Sequence, residues 1–284
     1  MHMGTPMIPA LLRAPLFAVA LLGILPQPAM AELMLNPTRV ILERNQRATQ
    51  VELINNGSKA TSYRISLVNR RMSETGEFSS ITEAAEGERF ADAMLTFSPR
   101  QITLQPGTTQ VVRLMVRKPE ALADGEYRSH LHFEKLPDAA DMASSVEPGE
   151  AGAARIGVVL KALVGASIPV IVRHGATSAT VTLSHLTLVP ADGDKPRMLG
   201  FRIERAGNSS VYGDLTATFT PPTGPPVQLA QARGVAIYLP NARRLAALPL
   251  APRSALARGT VRLLYREPVE AGGKLLAEAE LALP

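Results

Sequence analysis

Residues 158–173 read VVLKALVGASIPVIVR, sixteen residues of which only Lys161 and Arg173 are charged. Val, Ile and Leu suit a pleated strand, and Gly165 and Pro169 would interrupt a helix. A strand apolar on both faces is normally covered on both faces. The fold therefore has to provide two covers for this run, and the sequence around it says where they can come from.

The chain opens MHMGTPMIPALLRAPLFAVALLGILPQPAMAE. Arg13 supplies positive charge, Leu16–Leu25 an apolar centre, and Ala29-Met30-Ala31 a small-x-small cleavage site, which is the order of a secretory signal peptide. The apolar run is about half the ~20 residues a membrane-spanning helix needs, so residues 1–31 are expected to be removed after export. No later segment is long and apolar enough to span, and the mature chain reads as soluble, with no membrane insertion. The remaining residues suffice for two domains with their own cores. Cysteine is absent, which excludes thiolate zinc sites and thiol nucleophiles. Residues 32–173 balance 17 basic against 17 acidic side chains, whereas 174–284 carry 12 against 8. With no basic blocks and no aromatic stacking positions, that excess reads as a solvated arginine surface and not as a nucleic-acid site.

Short β-like runs separated by turn residues follow the signal: TRVILE (38–43), TQVELIN (49–55), TSYRISLV (61–68), RQITL (100–104), TQVVRLMVR (109–117) and EYRSHLHFEKL (126–136). Val51, Leu53 and Asn55 alternate with Glu52 and Ile54. Tyr127, Ser129, Leu131 and Phe133 depart from a single alternation, which predicts a bulge or burial on both faces. NNG (55–57), PG (106–107) and DG (124–125) mark turns. Seven such strands in about 140 residues indicate an antiparallel sandwich. Residues 137–155, rich in Pro, Gly, small residues and acids, read as a long mobile loop. The second half, 174–284, repeats the style in ATVTLSHLTLV (179–189), RMLGFRIERAG (197–207), SVYGDLTATF (210–219), GVAIYL (234–239), GTVRLLYREP (259–268) and KLLAEAELAL (274–283), with PPTGPPV (221–227) as a rigid turn. The predicted fold class is all-β, two β-sandwich domains, 32–173 and 174–284.

The segments LNPTRVILE, VELINNG, YRISLV, FSPRQITLQPGTTQVVRLMVR and IPVIVR keep the order found in PapD-like periplasmic chaperones of pilus assembly, which residues 33–173 resemble. The resemblance implies two immunoglobulin-like domains and offers the missing cover: the last strand of the first domain is lent to a pilin that lacks its own final strand. Counting back from Arg173, the inserted side chains would be Val158, Leu160, Ala162 and Val164, each buried Val or Leu contributing about 1.5–3 kcal/mol. Arg39 matches the family arginine that helps to bind the client's C-terminal carboxylate, for which a guanidinium fork is well suited. The second cation of that clamp, a lysine in typical members, is replaced here by Pro169. The implied partners are pilin or related secreted subunits and an outer-membrane usher, in the periplasm.

Three other features have plainer readings. Arg39 would alternatively form a surface or inter-domain ion pair. His130 and His132 have the spacing of metal ligands on one strand face, but without a third ligand nearby they read as an exposed face. Asn241, Arg243 and Arg244 follow a strand and read as a solvated turn, with a carboxylate-binding site as the alternative. No nucleophile elbow, phosphate loop or His-Glu-x-x-His is present, so neither an enzyme nor a cofactor is predicted. The leading reading is a periplasmic chaperone. Against it stand a structural or adhesive surface-fibre component with the same domains, and a carbohydrate-binding sandwich, which the lack of Trp disfavours.

Overall fold

The computed structural model describes residues 32–137, 165–251, 256 and 258–284. The first sandwich uses ten strands. They are β1 (Leu33–Asn36), β2 (Val40–Leu42), β3 (Ala48–Asn55), β4 (Thr61–Met72) and β5 (Phe78–Ile81), then β6 (Leu95–Ser98), β7 (Gln101–Leu104), β8 (Thr109–Val116), β9 (Gly125–Lys135) and β10 (Ala166–His174). One sheet runs β1-β3-β8-β6 and the other β2-β10-β9-β4, with β5 and β7 sharing the outer edge of β4. Alternation builds the core. Val51 and Leu53 of β3, Val112 and Leu114 of β8 and Ile168, Val170 and Val172 of β10 all point into it and are buried.

β9 is buried on both faces from Gly125 to Leu131. Tyr127, Leu131 and Phe133 enter the sandwich core. Glu126, Arg128 and His130 point the other way and are nonetheless 9% exposed or less. The ladder to β10 runs without a register shift from Phe133 opposite Ala166 to Gly125 opposite His174. Two-sided burial, not a bulge, is what broke the alternation.

On that outer face Phe78 of β5 covers His130, and the second sandwich covers Glu126 and Arg128. Its strands are β11 (Ala179–Val189), β12 (Met198–Gly207), β13 (Val211–Thr220), β14 (Val227–Ile237), β15 (Arg243–Pro249), β16 (Gly259–Arg266) and β17 (Leu275–Leu283). They form sheets β11-β12-β15 and β14-β13-β16-β17 around Leu199, Ile203, Leu215, Leu263 and Tyr265. The protein is thus all-β, two immunoglobulin-like sandwiches. Among the described residues no helix is long and apolar enough to cross a membrane.

Four strands were not expected from sequence. β1 and β6 are four residues long and each ends just before a proline. β5 is exposed at three of its four positions and carries no apolar alternation. β15 begins at Arg243, inside the run read as a solvated turn, and continues to Pro249. The long loop expected at 137–155 lies, beyond Pro137, outside the described residues, as do the leader and its cleavage site.

Candidate functional site

Where the sandwiches meet, an apolar plug forms from Met72 at the end of β4, Ile171 on the outer face of β10, and Ala236 and Tyr238 at the end of β14. Ile41 and Tyr212 pack against it. Ile171 is fully buried, and taking an isoleucine out of water is worth about 1.5–3 kcal/mol. The half of β10 that faces away from its own core is therefore covered at Ile171 by the second domain.

Beside the plug runs a cleft of about 680 Å³, walled by Arg39, Glu43, Arg173, Ser210 and Tyr212 among others. The turn that presents Ser210 is held by Arg205, which donates to the carbonyls of Gly207 at 2.8 Å and Ser209 at 3.1 Å. Glu126, reaching out of β9, accepts from the Ser210 amide at 3.0 Å, the Ser210 hydroxyl at 2.9 Å and Arg173 Nε at 3.1 Å. Arg173 also donates to Glu43 at 2.6 Å and to the Ser210 carbonyl at 3.3 Å. A buried carboxylate is tolerated because its charge and its lone pairs are answered.

Arg39 stands one residue before the first β2–β10 pair, Val40 opposite Val170 in parallel. Its Nη2 donates to the Ser210 hydroxyl at 3.1 Å, and its guanidinium lies 4.5 Å from the Tyr212 ring centre and 5.5 Å from that of Tyr238. Its Nε and Nη1 are buried without a hydrogen-bond partner. The ion-pair reading of Arg39 is thereby corrected. It bridges the domains through a serine hydroxyl and two rings, and no described carboxylate pairs with it directly.

On the open side of β10, β2 covers only Val170, Ile171 and Val172. From Ala166 to Pro169 the strand has β9 on one side and no described strand on the other. Proline is tolerated in a sheet on such an edge. Pro169, where the resemblance expects a lysine, instead helps to line a second cavity together with Ser167, His130, Arg70, Tyr238 and Arg244.

One further sequence reading is overturned here, and another holds only in part. His130 is only 3% exposed and sits beneath Phe78, the rings meeting edge to face at 5.5 Å. Burial, helped by the charges of Arg128 and Arg70, pushes its pKa down to about 3. Its face is not exposed, and no metal-ligand cluster forms around it among the described residues. The turn at 241–244 is solvated at Ala242 and Arg243 but is fastened to the first sandwich. Asn241 Nδ2 donates to the carbonyls of Met72 at 2.8 Å and Ser73 at 3.2 Å, the Leu245 amide donates to the Glu74 carbonyl at 2.7 Å, and Arg243 pairs with Glu74 at 2.7 Å. These partners are about 170 positions apart, beyond the reach of any local pattern. Val158, Leu160, Ala162 and Val164 lie outside the described residues.

Residues 32–173 match the family model of the pili and flagellar-assembly chaperone, PapD N-terminal domain. That is half of the chain. The protein belongs to this family of chaperones. No curated protein matches it. Solved structures similar to the chaperone include three bacterial proteins. The CsuC–CsuE chaperone–tip adhesion subunit complex of Acinetobacter baumannii Csu pili is 14% identical (87% of this chain, 98% of that one, TM-score 0.48). The CupB2 chaperone of Pseudomonas aeruginosa is 10% identical (88% and 100%, 0.43), and the Salmonella enterica SafA pilin–SafB chaperone complex 13% (89% and 97%, 0.40). Membership of the chaperone family rests on the domain match.

Proposed function

We propose that this chaperone binds secreted pilus or fimbrial subunits in the periplasm by lending them an edge strand, the run Val158–Val164 that leads into β10. The single observation that supports the reading is the open edge of β10. Pairing with β2 begins only at Val170, so the backbone groups of Ala166–Pro169 on that side have no strand partner among the described residues, and such groups template the addition of another chain's strand. On this reading Val158, Leu160, Ala162 and Val164 enter the client's apolar groove, which answers the demand for a cover that the sequence raises. Arg39, at the foot of that edge with two unpartnered N–H groups, holds the client's terminal carboxylate. Guanidinium–carboxylate bonds are about twice as strong as neutral ones.

The test is co-expression of the full precursor with a pilin subunit encoded beside it, followed by native mass measurement of the periplasmic fraction. A one-to-one complex is expected, with the chaperone beginning at Glu32. Two separate species, or a chaperone retained in membranes with residues 1–31 attached, would overturn the reading.

A further inference from the structure

The sandwiches are fastened at a second place, by residues that wall neither the Arg39 cleft nor the Glu126 cluster. The turn between β4 and β5 is preformed for it. Ser73 N donates to the Glu77 carbonyl at 2.8 Å, Gly76 N to the Ser73 carbonyl at 3.0 Å, and Glu77 N to Ser73 Oγ at 3.1 Å. The turn lies close on Arg244 only because residue 76 is glycine. At its φ of +92° any side chain is strained, and a Cβ there would lie 2.3 Å from Arg244 Nη2.

The free edge of β15 receives this turn. Alternate residues of β15 bond to β12, in a ladder framed by Arg205 N to the Ala242 carbonyl at 2.7 Å and Leu250 N to the Arg197 carbonyl at 2.9 Å. Leu245 falls between the bonded positions, so its amide points away from β12. It donates to the Glu74 carbonyl at 2.7 Å. Arg243 Nε reaches the Glu74 carboxylate at 2.7 Å, and Asn241 Nδ2 takes the Met72 and Ser73 carbonyls at 2.8 and 3.2 Å. The hairpin of one domain thus answers an open sheet edge of the other.

Arg205 of β12 joins this fastening to the cleft. Its side chain is buried. Its Nε donates to the Asn241 carbonyl at 3.0 Å, while its Nη1 donates to the carbonyls of Gly207 at 2.8 Å and Ser209 at 3.1 Å. One guanidinium therefore ties the turn that catches the hairpin to the turn that presents Ser210. A rigid planar fork keeps such acceptors at a fixed spacing, which a flexible ammonium does not. Ser210 in turn accepts from Arg39 at 3.1 Å and donates to Glu126.

We propose that Asn241 and Arg205 are positioning residues for the client cleft: they transmit the docking of the β4–β5 hairpin to Ser210, and so fix where Ser210 and Tyr212 stand against Arg39. Neither residue lines the cleft. The statement about the client rests on the strand-donation reading; the statement about the junction stands without it.

Amide hydrogen exchange, followed residue by residue by NMR on the free mature full-length protein, tests the transmission. In Asn241→Ala the Leu245 amide should exchange about tenfold faster, the size of one or two ordinary hydrogen bonds. The Ser210 amide, which Asn241 does not touch, should exchange faster by about threefold or more, with Leu114 in the first core within about twofold of wild type. Arg205→Lys, which keeps the charge and loses the fork, should also speed exchange at Ser210. Leu245→Ala keeps the amide and removes only a side chain that is 39% exposed, and should leave Ser210 unchanged. If Arg205→Lys does not fold, Asn241→Ala still decides. Faster exchange at Leu245 with Ser210 unchanged would overturn the proposal and reduce the hairpin contact to a local fastener. Pilin affinity of the same variants tests the other half. It should fall in Asn241→Ala and hold in Leu245→Ala, and affinity unchanged in Asn241→Ala despite faster exchange at Ser210 would overturn the role at the cleft. A wild-type protein that binds no pilin would sink the strand-donation reading instead, and the exchange result would still decide the junction.

Discussion

Arg173 and Arg244 both reach into the junction between the two sandwiches, and their surroundings are opposite. Arg173 meets Glu126, Glu43 and the Ser210 carbonyl. Arg244 meets one backbone carbonyl and keeps a buried Nε with no partner, in a cavity with no acid among its described walls. The first arrangement is complete without another molecule and holds the domains together. The second is incomplete, as is the neighbourhood of Arg39. The difference separates the part of the junction whose charges and hydrogen bonds are answered within the chain from the parts that keep buried N–H groups without a partner.

The sharpest way to break this comparison is Glu126→Ala. It strands Arg173 and Ser210 at a site where the carboxylate is 1% exposed, and breaking a buried pair costs about 3–5 kcal/mol. The midpoint of thermal unfolding should fall by about 10 °C for a chain of this size. A fall of only a degree or two would mean that the saturated side is not what docks the domains.

His130→Gln probes the unsaturated side by pH. His130 has a folded pKa of about 3 against an unfolded value near 6.5. Above pH 6.5 it is neutral in both states and contributes no pH dependence. As pH falls through 6.5 toward 3 the unfolded chain takes up a proton that the folded one refuses, so stability is lost over that window. Between pH 6 and 4 the wild type should lose stability faster than the variant by close to one proton, about 1.4 kcal/mol per pH unit. Parallel curves would place His130 in contact with solvent or with a fixed anion.

Of these three changes Arg39→Gln has the smallest expected effect on folding. It removes one hydrogen bond and two ring contacts, roughly 1 kcal/mol, or a few degrees, while client binding should weaken tenfold or more. A stability loss with client affinity intact would reduce Arg39 to a domain fastener.

Much of this could be read along the chain. Strands with one buried face announce themselves, as Val51, Leu53 and Asn55 do in β3. The broken alternation of Tyr127–Phe133 was read as a bulge or burial on both faces, of which the second holds, and Pro169 was visible as a departure from the family pattern. What covers β9 was not visible, because its partners come from Ser210 and Tyr238 in the other domain and from Phe78 in a strand with no apolar alternation. The cationic pocket was hidden for the same reason. Arg70, Arg244 and His130 sit on three strands far apart in sequence, so composition shows only an excess of arginine. His130 was misread as exposed because a histidine flanked on its strand face by Arg128 and His132 looks the same whether water or Phe78 lies over it.

The central claim is that the run before β10 is lent to a client, and the most direct measurement compares Leu160→Glu with Leu163→Glu for pilin binding and for thermal stability of the free chaperone. If Leu160 enters the client's apolar groove, the glutamate places an unpaired carboxylate there at a cost of several kcal/mol. Binding should be lost while the unfolding midpoint of the free protein moves by only a degree or two. Leu163→Glu should show the reverse, lowering the midpoint more than the affinity. A Leu160→Glu protein that still forms the one-to-one complex, or one whose free first domain unfolds, would contradict strand donation.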